Sequence, residues 1–266
     1  MDMNKFKRLL PLSCGAALFL AAFAGCGKST VGECVKQGTA AADAGDWETA
    51  FKFASKGVQR APENVDALLL KAIAAHRCRR DAEAYDAAAK AAKFAPDNFY
   101  AQYTLGCVCA ENGARRGEAK RAFRAALKLR ENDFDTLVAI CNLTADGEDP
   151  DLLKYLELLA KCSPKSLTDS ATFSNQRGVA LLYAGERDRA LREFNFAQRK
   201  DINWDDPRIV YNAACAYDNY RLAYGRGNRR TIRSMYERYL QLTVGDKSAE
   251  PTRKLVQARV REIDGR

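Results

Sequence analysis

Apolar and small residues return along this chain at helical spacing, and one arrangement of them returns at a fixed interval. In GDWETAFKFASKGVQRAPEN, Ala50, Gly57 and Pro62 mark positions that recur 34 residues later as Ala84, Ala91 and Pro96 of RDAEAYDAAAKAAKFAPDN. A third copy, RGEAKRAFRAALKLREND, places Ala119, Phe123 and Ala126 one residue late, and a fourth, AGERDRALREFNFAQRKD, supplies Gly185, Ala190, Phe194 and Ala197. The apolar positions keep a period of about 3.6, and no run of alternating β-branched residues interrupts them. The pattern predicts helices pairing near 31–44 with 47–60, 65–78 with 81–94, 99–111 with 117–130, and 134–144 with 150–162. Two further pairs fall near 171–184 with 187–200 and 207–223 with 229–243, and SPKSLTDS and DINWDDP read as linkers.

A repeated small residue marks a point where one helix crosses its neighbour closely, and the Phe beside it fills the remaining gap. The Pro stops the helix, because it lacks an N–H and clashes with the preceding turn. Two units depart from the pattern. The fourth, TLVAICNLTADGEDPDLLKYLELLAKCSP, has Leu152, Leu156 and Leu159 where Ala, an aromatic and Ala are expected. The sixth opens as VYNAACAYDNY and then carries about six extra residues within RLAYGRGNRR. The final amphipathic segment, PTRKLVQARVREI, suits the solvating cap that a helical array needs.

These residues and their spacing resemble the tetratricopeptide repeat (TPR), across residues 31–243. The resemblance gives units near 31–64, 65–98, 99–133, 134–170, 171–206 and 207–243, with a C-terminal capping helix in 244–266. In each unit one small-residue position falls at Gly38, Ala72, Gly106, Cys141, Gly178 and Ala214. It implies an all-α, right-handed α-α superhelix of about six helix pairs, with a concave groove lined by the first helix of each pair. The family's groove positions correspond to Asp66 and Arg77 in the second unit, Tyr100 and Tyr103 in the third, and Asn142 in the fourth. In the fifth they correspond to Asn175 and Tyr183, and in the sixth to Arg208, Tyr211, Asp218 and Asn219. Tyr and Arg anchors beside Asn are common interface chemistry. The Lys and Asn clamp that chaperone-binding members use for an acidic chain terminus is not reproduced. The basic stretch Arg221, Arg226, Arg229 and Arg230, with Tyr220 and Tyr224, is a second candidate surface, or else a solvated loop.

The N-terminus reads differently. Lys5, Lys7 and Arg8 precede an apolar stretch from Leu9 to Phe23. That is the order of a secretory signal, and it is shorter than the ~20 residues that span a bilayer. Gly27-Lys28-Ser29 matches a relaxed phosphate loop, but such a loop follows a buried strand, and none is predicted here. Phe23-Ala24-Gly25-Cys26 resembles the bacterial lipobox, with Phe23 where Leu is usual. The resemblance implies a signal peptide of residues 1–25, cleavage before Cys26, lipidation of Cys26 and a short tether, residues 26–30. Several acyl chains hold a protein stably at a membrane where one does not. Gly27 rather than Asp implies the outer membrane, facing the periplasm.

Without residues 1–25 the chain keeps 40 basic and 33 acidic residues, and most are interspersed. That balance suits a solvated helical surface with some attraction to anionic headgroups, and an exported chain is a poor nucleic-acid partner. Of nine cysteines, seven lie beyond Cys26, an odd number without a close-spaced framework, so buried thiols are expected rather than disulfides. Cys107 and Cys109, two apart on a helix, point away from each other. With His76 as the one histidine, neither a metal, a cofactor nor a catalytic set is expected. The expectation is therefore a non-enzymatic, lipid-anchored scaffold that holds another envelope protein or peptide in its groove. TPR lipoproteins of outer-membrane protein assembly and of pilus secretin assembly both resemble this arrangement. A groove that stacks Tyr on peptidoglycan or another glycan is the alternative.

Overall fold

The computed structural model describes residues 29–144, 149–201 and 204–265, all helix, turn and loop. The expected signal peptide, residues 1–25, and Cys26 lie outside the described residues. The chain forms two compact units that divide between Thr136 and Leu137.

The first unit holds three helix pairs. They are α1 (Val31–Asp43) with α2 (Trp47–Arg60), α3 (Val65–Arg77) with α4 (Asp81–Phe94), and α5 (Phe99–Ala110) with α6 (Arg116–Leu129). The repeat interval is visible in the caps. Thr30, Asn64 and Asn98 each accept an N–H from the first turn of α1, α3 and α5, at 3.2, 2.9 and 3.1 Å. Such a cap satisfies one of the donors that a helix start leaves open. Pro62 and Pro96, each followed two residues later by a capping Asn, end one helix and start the next. The core is built from alanines: Ala72, Ala75, Ala84, Ala88, Ala91 and Ala101 pack around Leu68 and Val108. Small side chains let the helices approach closely, and Gly106 takes this furthest. A methyl group there would lie 2.6 Å from the Phe123 ring.

The second unit carries most of α7 (Phe134–Leu143), then α8 (Leu152–Cys162), a single turn α9 (Lys165–Thr168), α10 (Ala171–Tyr183) and α11 (Arg187–Lys200). It ends with α12 (Pro207–Tyr224), α13 (Arg229–Leu242) and α14 (Glu250–Asp264). Gly178 repeats the relation of Gly106: an added methyl would lie 2.8 Å from the Phe194 ring. In α8 the three leucines that replace the pattern's small and aromatic residues are all buried. The segment SPKSLTDS, expected as plain linker, contains the helical turn α9, whose preceding Pro164 is extended and ends α8. In the sixth unit the extra residues lengthen α12 to 18 residues, and Gly225 stops it in a left-handed conformation at φ 65°. The basic stretch is thus mostly helix rather than loop. On α14 only Val256 and Ile263 are buried, against α13, and the other faces meet solvent. Among the described residues no helix is long and apolar enough to cross a membrane.

Candidate functional site

The first helices of the second unit bring polar side chains of the expected groove positions together. Asn142 on α7 accepts a hydrogen bond from the Gln176 side chain on α10 at 3.4 Å. Asn175, also on α10, accepts one from Asn212 on α12 at 3.2 Å. These links join consecutive first helices, so the repeat interval becomes a ladder of amides across their faces. Beside it lies an open cavity of about 390 Å³, lined by Thr172, Asn175, Gln176, Arg208, Tyr211 and Asn212, with Thr252 of α14 at its edge. Pro207 starts α12, and Asp206 caps it by accepting the Arg208 N–H at 2.9 Å. The Asp206 carboxylate also takes the Arg208 guanidinium at 2.7 and 3.1 Å, which fixes the cation at the cavity rim. That hydrogen bond holds the Asp206 carboxyl below its ordinary range, against the opposing effect of partial burial. Tyr211 leans on Tyr239 with ring centres 5.1 Å apart, and burial pushes its hydroxyl pKa up, so it stays a neutral donor.

Of the groove positions, Asn142, Asn175, Arg208 and Tyr211 belong to this assembly, and the others do not. Tyr183 is 64% exposed. Asn219 lies with Leu222 and Arg187 around a different depression. In the first unit Asp66 is exposed. Arg77 places its guanidinium 5.1 Å above the Trp47 ring. Tyr100 is half-buried and takes Arg130 over its ring at 4.9 Å.

Three expectations need correction. Tyr103 is 7% exposed, stacked on Phe99 at 5.8 Å and against Phe123 at 6.0 Å, so it is a core residue with little surface for a partner. Asp218 is 3% exposed and engaged by Arg221, Arg259 and Tyr236. Arg221 is correspondingly drawn inward from the basic stretch, leaving Arg226, Arg229 and Arg230 exposed. Among the described residues Cys34, Cys107, Cys109 and Cys141 are buried, as expected, but Cys162 is exposed at the end of α8. Gln176, Asn212 and Thr172 were missed by sequence reasoning. The first two each follow a groove position by one residue, and their amide character recurring with Asn142 at nearly the repeat interval was the available signal.

Solved structures share this architecture. The TPR protein YrrB, whose structure has an unusual peptide-binding site, superposes with a TM-score of 0.57 and 20% identity, over 69% of this chain and 92% of YrrB. MamA superposes at 0.54 with 20% identity, over 65% of this chain and 92% of MamA. The fold is the tetratricopeptide-repeat fold. No protein-family model and no curated protein matches the sequence. Among the described residues no group of three or more His, Cys, Asp or Glu side chains could hold a metal ion.

Proposed function

We propose that this TPR chain is a membrane-anchored scaffold of the bacterial cell envelope, holding an extended peptide or helix of another envelope protein on its first-helix face. The observation that carries the reading is the cavity in which Asn175, Gln176, Arg208, Tyr211 and Asn212 converge from two consecutive first helices. The side-chain amides of Gln176 and Asn212 pair with a peptide backbone, Arg208, held by Asp206, offers its remaining N–H groups at the rim, and Tyr211 supplies a rigid anchor. The TPR fold of a peptide-binding protein such as YrrB supports it as an analogy. The anchor rests on Lys5, Lys7 and Arg8, the apolar run and Phe23-Ala24-Gly25-Cys26, and Gly27 supports the outer membrane.

Two experiments test this. Photo-crosslinking in cells from a probe at Gln176 should give a reproducible protein adduct that Arg208→Glu with Asn212→Ala abolishes. An adduct unaffected by those changes, or material retained on peptidoglycan sacculi instead, would defeat the protein-binding reading. For the anchor, Cys26→Ser should move the chain from the membrane to the soluble fraction and end labelling by radioactive palmitate.

A further inference from the structure

A second open cleft of the second unit lies away from the first-helix face. It measures about 1040 Å³ and lies among the end of α8, the turn α9, α10 and α11. At about 100° per residue, Thr172, Asn175 and Gln176 share one side of α10, whereas Ser174 and Arg177, which line this cleft, lie on the other. Its presence follows from the irregular fourth unit. The helical turn α9 and its flanking residues intervene between α8 and α10, and Ala160, Thr168 and Asp169 form one wall.

The opposite wall is a stripe on α11, Arg192, Asn195, Phe196 and Arg199, at helical positions i, i+3, i+4 and i+7. That spacing normally marks the face a helix buries. Here Arg192 and Arg199 stand exposed at its two ends and have no ion-pair partner among the described residues, while Phe196 is half-buried between them. Lys200 adds a cation 5.3 Å from the Phe196 ring centre. The third arginine, Arg177, is neutralised by Glu193 at 2.5 Å, so the uncompensated charge of the stripe is positive, with Asp169 across the cleft as a lone exposed carboxylate. Trp204 closes one end. Its backbone sits at φ 55°, in the left-handed region that favours glycine. Hydrogen bonds hold it there: its N–H donates to the Asp201 carbonyl at 3.0 Å, and its carbonyl accepts from Arg238 at 3.2 Å.

We propose that this cleft is a second binding site, for an acidic peptide segment with an aromatic or apolar residue between two carboxylates. Arg192 and Arg199 are two helical turns apart, about 10 Å along the axis. An extended chain turns alternate side chains to one face, and positions i and i+4 on that face lie about 13 Å apart. Carboxylates at i and i+4 therefore reach both arginines through their flexible side chains, and the side chain at i+2, on the same face, meets Phe196 and Trp204. The site is independent of the first-helix face, because the two lie on opposite sides of α10.

The test uses the full chain and a fluorescein-labelled peptide, Gly-Glu-Ala-Phe-Ala-Glu-Gly, read by fluorescence anisotropy. Saturable binding is expected, weakened at least tenfold by Arg192→Ala or Arg199→Ala and unchanged by Arg208→Ala. Both arginines are exposed, so thermal melting by circular dichroism should match the wild type. A Trp47→Phe background isolates the Trp204 emission, which the peptide should shift. The proposal is overturned if the peptide does not bind or if the arginine variants bind it equally. It also fails if a Lys-for-Glu peptide binds as well, or if inorganic phosphate alone displaces the peptide at equal concentration.

Discussion

Asp218 on α12 and Arg259 on α14 form a two-point ion pair, with Nε at 2.5 Å and Nη2 at 3.0 Å from the two carboxylate oxygens. Arg221 reaches the same carboxylate at 3.0 Å and the Tyr236 hydroxyl donates to it at 3.3 Å. The terminal helix, which buries only two side chains, is thus latched to the unit by a charge set deep beneath it. Removing one partner of a buried pair typically costs about 3–5 kcal/mol, because the other is left desolvated. Arg259→Met should fall at the lower end, since Arg221 remains. Asp218→Leu combined with Arg259→Met should cost less than the sum of the two single changes, although Arg221 is then left unpaired. Urea unfolding of the two single variants and the double variant measures the coupling, and additivity within about 0.5 kcal/mol would mean the latch does not exist.

The latch has a pH signature. Burial raises the Asp218 pKa, but the hydrogen bonds and charges of Arg259 and Arg221 outweigh it and hold the carboxyl below its ordinary range. A depressed folded value means that the stabilisation is complete above the unfolded pKa of about 3.9 and is lost as pH falls through the folded value. The wild type should therefore lose stability on acidification below about pH 4 more steeply than Asp218→Asn. Parallel curves for the two proteins would show that Asp218 does not carry this dependence.

Gly106 and Gly178 occupy the same repeat position, and each faces a Phe ring where a methyl group has no room. Overpacking of this kind costs about 1–3 kcal/mol. Gly106→Ala and Gly178→Ala should each lower the melting temperature by several degrees. Phe123→Leu and Phe194→Leu should partly restore the matching variant, since a smaller side chain can yield. Gly117→Ala, exposed and without a close neighbour ring, is the control.

These glycines also show what the sequence could convey. Each repeat states its own crossing point, cap and stop locally, so helices begin and end within about two residues of the spans that the pattern predicts. The faces were less legible. Tyr103 occupies a groove position of the family, yet aromatic neighbours before it and across from it, Phe99 and Phe123, draw it into the core. Asp218 looked like a surface carboxylate because its partner, Arg259, is remote in sequence on the terminal helix. The cleft beside α9 arises from an irregular linker, and a repeat pattern carries no information about its own interruptions.

Arg79 sits where the regular turn has glycine. Gly45 and Gly185 connect the helices of their pairs at φ 83° and 78°, and Arg79, one repeat interval after Gly45, adopts φ 58°. A left-handed conformation costs a residue with a Cβ about 1–2 kcal/mol, part of which glycine loses again through unfolded-state freedom. The Arg79 guanidinium is largely exposed and its pair with Glu111, at 3.9 Å, contributes little. Arg79→Gly should therefore stabilise the first unit by about 0.5–1 kcal/mol, measured as a higher urea midpoint. A lower midpoint would mean that the Arg79 side chain contributes more than its backbone strain removes.

The thiols differ in what surrounds them, and this orders their reactivity. Burial pushes Cys107 and Cys141 up to about 12 and Cys109 up to about 11, so at pH 8 they are almost entirely protonated and also enclosed. The thiolate is the nucleophile, so these three should resist alkylation in the native state. Cys162 is exposed at the end of α8. Iodoacetamide at pH 8 followed by peptide mass spectrometry should show Cys162 modified first, with Cys107, Cys109 and Cys141 modified only on the timescale of unfolding. The signs agree with a stability measurement. Folded pKa values raised above the unfolded thiol value of about 8.5 mean that the stabilisation is complete below that pH and fades as pH climbs through the folded values. Alkaline urea titration of Cys107→Ala and Cys141→Ala should accordingly show a shallower decline above pH 9 than the wild type, and identical slopes would indicate that these thiols are reached by solvent in the native state.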